Sequence, residues 1–288
     1  MNIVSSSADL LEQRRQFAAA GARVAFVPTM GNLHAGHLSL VQRGLEIADV
    51  VVVSIFVNPL QFGANEDLDA YPRTLAEDTE QLERVGAHLL FTPSVDVIYP
   101  EGMDRHTKVL VPELTGTLCG ASRPGHFDGV TTVVCKLLNL VAPQVALFGE
   151  KDLQQLLIIQ KMVRDLALPI DIEGVPTARA DDGLALSSRN NYLNPTQRAT
   201  APRLQQELQA IAAAIKSGSR DFEGLCAEAQ TRLEAVGFER DYLVVRRRTD
   251  LQPAKPLDTE LAIFAAAKLG STRLIDNLQL TVSESTLG

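Results

Sequence analysis

The run Val50-Val51-Val52-Val53-Ser54-Ile55-Phe56-Val57 shows no alternation of apolar and polar residues. A strand with one wet face alternates; a run apolar on both faces belongs in the middle of a parallel sheet, covered by helices above and below. Parallel neighbours need crossover connections, and the first 175 residues supply them. Val24 to Val27 read as a short buried strand closed by Pro28, and Leu38, Val41, Leu45 and Ala48 form a helical stripe after it. Asn58-Pro59 ends the central run. Thr74-Leu75-Ala76-Glu77 reads as a capping box opening a helix that Gly86 closes. His88 to Phe91, Val145 to Phe148 and Ile170 to Val175 read as further strands, with helices over Thr131 to Val141 and Leu153 to Leu166. Repeated strand–helix–strand units predict an α/β fold, a Rossmann-like parallel sheet with helices on both faces.

The texture changes after Val175. Asn194-Pro195 predicts the start of a long Ala-rich helix ending at Gly218, and Phe222 to Val236 a second helix stopped by Gly237. Tyr242 to Val245, Leu261 to Ala267 and Leu274 to Asp276 read as three strands. The expected organisation is a Rossmann-like domain over residues 1–176 and a smaller C-terminal α+β domain over 177–288. Asp181-Asp182-Gly183, just past the boundary, offers a stretch in which a hinge could lie.

Composition narrows the function. With 45% hydrophobic and 22% charged residues the chain is globular. A net charge of −8 argues against a nucleic-acid partner, and Arg246-Arg247-Arg248 reads as a solvated strand end. Cys119, Cys135 and Cys226 lack metal spacing and read as reduced thiols filling core. Charges at Asp9, Glu12, Arg14 and Arg15 interrupt any signal sequence, and no apolar run is long enough to span a membrane. The expected location is the cytoplasm.

Chemistry concentrates where strands end. Met30-Gly31-Asn32-Leu33-His34-Ala35-Gly36-His37 lies between the first strand and its helix. A helix N-terminus carries unpaired N–H groups and a positive dipole end, so it attracts phosphate, and Gly31 and Gly36 let backbone approach such a ligand. His34 and His37, three apart, share one face and can stabilise charge on a triphosphate. A zinc pair is the competing reading, but no Cys, Asp or Glu in the loop completes a ligand set. Asn58, Gln61 and Phe62 follow the central strand. Gly149-Glu150-Lys151-Asp152 follows Phe148, with Gln154 and Gln155 on the next helical turn, and Leu186-Ser187-Ser188-Arg189-Asn190 comes later.

The His-x-Gly-His signature matches the nucleotidyltransferase superfamily. Together with Ser-Ile-Phe-Val-Asn-Pro-Leu-Gln-Phe-Gly, Asp-Leu-Asp-Ala-Tyr-Pro-Arg-Thr from Asp67, Phe-Gly-Glu-Lys-Asp-Leu-Gln-Gln and Leu-Ser-Ser-Arg-Asn, it resembles the pantothenate synthetase family from about Val24 to Asn277. The resemblance implies ATP-dependent condensation of (R)-pantoate with β-alanine through pantoyl adenylate, releasing AMP and pyrophosphate, with Mg²⁺ required and a homodimer as the usual assembly. It implies an ATP site of Met30 to His37 (with Asn32, Leu33 and Ala35), Gly149, Glu150, Lys151, Asp152, Ala178, Leu186, Ser187, Ser188 and Arg189. His34, His37, Lys151, Ser187, Ser188 and Arg189 would be catalytic. Gln61, Gln155 and Asn58 would hold the pantoate and β-alanine substrates, and Glu77, Asp78 and Gln81 would lie near Mg²⁺. The second domain would act as a lid over the nucleotide. Leu186 stands where the family commonly has Met, a change nearly neutral in volume. Two rivals keep some of these features: an adenylyltransferase acting on a phosphate monoester, and a nucleotide-binding regulator without turnover.

Overall fold

A computed structural model describes residues 1–63, 68–69 and 71–283. Asp67 and Ala70 of the Asp-Leu-Asp-Ala-Tyr-Pro-Arg-Thr block lie outside the described residues. In chain order the elements are β1 (Asn2–Val4), α1 (Ser7–Ala19), β2 (Val24–Thr29), α2 (Ala35–Ile47), β3 (Val50–Ile55), α3 (Leu75–Val85), β4 (Leu89–Phe91) and the short α4 (Val95–Ile98). Next come the short α5 (Cys119–Ser122), α6 (His126–Val141), β5 (Val145–Gly149), α7 (Leu153–Asp165) and β6 (Asp171–Val175). The chain then forms α8 (Pro195–Thr200), α9 (Arg203–Lys216), α10 (Phe222–Glu234), β7 (Phe238–Arg247), β8 (Glu260–Leu269) and β9 (Thr272–Thr281). Two compact units result. The first holds Met1–Gly116, Arg123–Glu150 and Gln155–Pro176; the second holds Thr117–Ser122, Lys151–Gln154 and Thr177–Gly288.

The first unit is built on a six-stranded parallel sheet in the order β1-β4-β3-β2-β5-β6. Alternation sends Ala25 and Val27 of β2, with Val51 and Val53 of β3, into a cluster with Leu40 and Val41 of α2 and Leu82 of α3. The intervening Phe26 and Val52 are buried on the opposite face, where α6 packs against β2. The expected parallel sheet, apolar on both sides and covered by helices, is therefore present. From β2 the chain runs outward through β3 to β4, then returns to place β5 on the other side of β2. The space between β2 and β5 is thus a topological switch point, where ligands settle on open α/β sheets.

Several boundaries differ from expectation. Pro28 does not close β2, which continues to Thr29 paired with Ile55. Its β5 neighbour pairs only at Ala25 and Phe26, so at Pro28 one side of the strand has no ladder to interrupt. Thr74 is no capping box: its backbone lies outside the extended region, and its hydroxyl bonds Asp78 Oδ2 at 3.2 Å instead. Helix α6 begins at His126, five residues before its expected start at Thr131. Asn2–Val4 forms an edge strand pairing with β4; three residues are too few to show a period.

In the second unit β7, β8 and β9 form an antiparallel meander. Leu204, Leu208, Ile211 and Ile215 of α9 and Phe222, Ala229 and Leu233 of α10 pack on Leu261, Ile263 and Ala265 of β8. The single Ala-rich helix expected from Asn194 is two, α8 and α9, with Pro202 at the junction. Proline contributes no N–H to continue the helix. Asn194 and Gln197 do form a capping box. Arg247 pairs with Asp250 and Asp258, and Arg248 with Glu260, so two of the three arginines of the basic run are neutralised locally. Cys226 is core, its thiol pushed up to about 11 by burial. Cys135 is only half-buried. Cys119 is more than filler: its sulfur lies 3.0 Å from the Tyr242 hydroxyl and accepts from Arg273 at 3.5 Å.

Candidate functional site

In the first unit the loop after β2 is set by local hydrogen bonds. Thr29 Oγ1 donates to Ser54 O at 2.8 Å and accepts from Gly31 N at 3.2 Å. Gly31 and Asn32 both take left-handed backbone, with φ of 80° and 50°. In this turn the successive N–H groups of Asn32 and Leu33 converge on one point, a nest for an anion. Here the anion is internal: Asn32 N and Leu33 N donate to Asp78 Oδ2 and Oδ1, each at 2.8 Å. Hydrogen bonds to a carboxylate contribute roughly 1.5–3 kcal/mol each. Two of them outweigh the ~1–3 kcal/mol of a left-handed non-glycine residue.

His34 is the N-cap of α2. Its Nδ1 accepts from Gly36 N at 3.1 Å, while His34 N donates to Nδ1 of His37 at 3.3 Å. The two residues form a reciprocal capping box in which imidazoles replace the usual Ser and Glu. Accepting at Nδ1 leaves the proton of each neutral ring on Nε2, so both rings carry Nε2–H donors. Their centroids are 4.1 Å apart. The paired donors on the opening turn match the sequence expectation.

The turn after β3 carries Gln61. Asn58, expected to touch substrate, is 0% exposed. Its Oδ1 accepts from the Tyr99 hydroxyl at 2.8 Å and Leu60 N at 3.3 Å, and its Nδ2 donates to Gly129 O at 3.1 Å and Gln61 Oε1 at 3.3 Å. Burial raises the Tyr99 phenol well above its ordinary pKa, so it stays a donor. Gln61 Nε2 donates to Met30 Sδ at 2.8 Å, linking this turn to the histidine loop. The start of α6 meets Gln61 from behind: its carbonyl accepts from His126 Nδ1 at 2.8 Å and Arg123 Nη2 at 3.4 Å. That fixes the His126 proton on Nδ1, leaving Nε2 to accept from Arg123 Nη1 at 3.0 Å. Sequence reasoning missed Arg123, His126, Tyr99 and Gly129. Gly125-His126 repeats the Gly-His pairing of the first loop at another helix start, a signal that was available.

Of the residues expected near a metal, Glu77 is exposed, Gln81 half-buried and Asp78 1% exposed with its oxygens committed to backbone. These three side chains do not form a ligand cage. Among the described residues no group of three or more His, Cys, Asp or Glu could hold a metal ion. Gly149 ends β5, Glu150 follows it, and Gln155 lies half-buried on the first turn of α7.

The remaining expected site residues belong to the second unit. The Lys151 carbonyl accepts from Asn277 Nδ2 at 2.9 Å, and its ammonium lies 3.8 Å from Asp152. Ala178 O accepts from Leu186 N at 2.9 Å, and Arg179 bridges Ala185. The Asp181-Asp182-Gly183 stretch is the tip of this hairpin, held by Asp182 to Arg198 at 2.5 Å and by a bidentate Arg179–Asp276 pair at 2.7 and 2.9 Å. The Arg198 guanidinium holds the Asp182 carboxyl below the usual range. A braced turn thus stands where the sequence suggested a hinge. Ser187 caps the following turn, its Oγ accepting from Arg189 N at 3.3 Å, and Ser188 and Arg189 are half-buried.

Gly129 makes a direct test of the Gln61 platform. A Cβ there would run into Leu60 O and C, and Gln61 N at 2.7 Å. Gly129→Ala is expected to destabilise the protein by about 1–3 kcal/mol, the usual cost of overpacking. Gly116→Ala, where a Cβ meets nothing within 4 Å, should change stability by no more than about 0.5 kcal/mol. Urea titration of both variants decides; equal midpoints would show that the turn does not rest on α6.

Comparison with known proteins identifies the family. A family model described as pantoate-beta-alanine ligase matches residues 2–279. The pantothenate synthetase of Pseudomonas entomophila is 58% identical over 286 residues, covering 99% of this chain and 100% of the relative. The crystal structure of pantothenate synthetase from Thermus thermophilus superposes with a TM-score of 0.90 at 45% identity, covering 97% of this chain and 99% of that one. Pantoate-beta-alanine ligase from Francisella tularensis, complexed with beta-gamma ATP and β-alanine, gives a TM-score of 0.81 at 34% identity, with 97% of each chain covered. With its paired imidazoles at the sheet's switch point and a family match spanning nearly its whole length, the chain belongs to the pantoate–β-alanine ligase family.

Proposed function

We propose that this chain condenses (R)-pantoate with β-alanine at the expense of ATP, releasing AMP and pyrophosphate. The observation that carries the reading is the reciprocal His34–His37 capping box, which presents two Nε2–H donors from a helix N-terminus. The Francisella relative's complex with beta-gamma ATP and β-alanine supports the same substrates here. A pantoate carboxylate oxygen attacks the α-phosphorus of ATP, and the bond to pyrophosphate breaks, giving pantoyl adenylate. The β-alanine amine then attacks the acyl carbon, loses a proton, and expels AMP. No side chain bonds covalently to substrate, so the protein contributes positioning and preorganised charge.

His34 and His37 donate to phosphate oxygens, and Lys151, Ser187, Ser188 and Arg189 of the second unit act on the same nucleotide. Met30 to His37, Gly149, Glu150, Asp152, Ala178 and Leu186 complete the ATP site. The amides of Gln61 and Gln155 read pantoate, whose hydroxyls and carboxylate need both donors and acceptors. Asn58 serves by holding Gln61 rather than by touching substrate. Mg²⁺, when bound, would be held mainly by the nucleotide's phosphates and would offset charge developing on pyrophosphate. We assign the working form to a cytoplasmic homodimer; among the described residues no helix is long and apolar enough to cross a membrane.

The activity is tested by AMP release, which should require ATP, pantoate and β-alanine together. Release with pantoate replaced by a phosphate monoester would favour an adenylyltransferase, and no release would favour a regulator. Lys151→Ala should lower pantoate-dependent ATP–pyrophosphate exchange about 10²–10³-fold, the loss typical of one preorganised donor. A near-normal exchange rate would remove Lys151 from the chemistry.

The second unit is proposed as a lid that keeps water from the reactive anhydride. Because the hairpin tip is braced, the change on binding should centre on the Ser187–Asn190 turn rather than on residues 181–183. Hydrogen exchange across 181–190 with and without ATP plus pantoate is the measurement. Identical protection in both states would indicate a preformed site.

A further inference from the structure

The residues available near the first turn of α3 do not suit a metal ion, and Asp78 has another task on view. Its carboxylate fills the nest formed by Gly31 and Asn32, taking one backbone N–H on each oxygen at 2.8 Å. Thr74 Oγ1 steadies Oδ2 at 3.2 Å, and the first turn of α3 favours negative charge at this point. A Cβ at Gly31 would come within 3.1 Å of the same oxygen, so the loop lies directly against the carboxylate. One residue after the anchored Leu33 comes His34, whose extended backbone starts α2 and whose ring pairs with His37.

We propose that Asp78 is a positioning residue for the reaction: it occupies the backbone nest of the nucleotide loop and thereby fixes where His34 and His37 aim. The anion that a loop of this shape would otherwise draw from solution is built into the protein. Substrate phosphate is left to the imidazoles and the α2 N-terminus. This inference rests on the nucleotide role proposed above for the histidine loop.

Asp78→Asn keeps the size of the side chain but puts an NH₂ against one of the two backbone donors. The expected result is a 10–10²-fold fall in the rate of pantoate-dependent ATP–pyrophosphate exchange, the loss that a misplacement of about 1 Å produces. The Mg²⁺ concentration for half-maximal rate should stay within about twofold of wild type, and the amides of Asn32 and Leu33 should lose hydrogen-exchange protection. Thr74→Val removes only the hydroxyl and should shift rate and protection in the same direction by less; it also serves if Asp78→Asn does not fold. A raised Mg²⁺ requirement with the rate restored at high Mg²⁺ would make Asp78 a metal ligand and overturn the proposal. Unchanged protection at Asn32 and Leu33 would overturn it too. If wild-type protein shows no exchange, the functional reading itself fails; if wild type exchanges and Asp78→Asn matches it, only the role of Asp78 falls.

Discussion

The parallel register of β2 on β3 is the constraint from which the rest of the first unit follows. Pairing Val24 with Val50 through Thr29 with Ile55 brings both strands to the same edge of the sheet. There Thr29 Oγ1 meets Ser54 O and captures Gly31 N, so the histidine loop leaves the sheet in a defined direction. The same edge releases Asn58 and the turn bearing Gln61. A one-residue slip of β3 against β2 would invert the faces of β3 and send Val53 out of the cluster it shares with Val27, α2 and α3.

Polar groups from behind the site do the remaining work of holding it. Asp78 receives two backbone N–H groups of one loop. Asn58, fully buried, receives the Tyr99 hydroxyl and a backbone N–H while its own amide reaches Gly129. Each is a polar group whose burial would be costly alone, and each is satisfied by the loop it organises. The His34 and His37 rings and the Gln61 side chain therefore stand on supports whose own polar atoms are hydrogen-bonded. In the second unit the Arg179–Asp276 pair plays the corresponding part beneath the hairpin that leads to Ser187.

How much was legible in advance varied with the kind of signal. The doubly apolar β3, the helix stripes, Gly86 and the Asn194-Pro195 helix start each express a local rule, and each appears where expected. Thr74 shows the limit of such rules. Its Thr-x-x-Glu pattern fits a capping box, yet a buried carboxylate at Asp78 is the stronger partner for its hydroxyl. Pro28 shows another, because whether a proline ends a strand depends on whether a neighbour needs its N–H.

Periodicity and motif spacing alone determined the parallel α/β class, the change of texture near Pro176, and the placing of His34, His37, Gln61 and Lys151 just past strand ends. These are properties of residues close together in the chain, where a hydrophobic period or a short motif carries the information. Only the tertiary structure decided that Asp78 serves a loop 45 residues away, that Asn58 is a buried support, and that Arg123 and His126 stand behind Gln61. Those roles come from polar atoms meeting across the sheet and its helices. A hydrogen-bond partner is set by position in space, and a sequence records only which donors and acceptors are available.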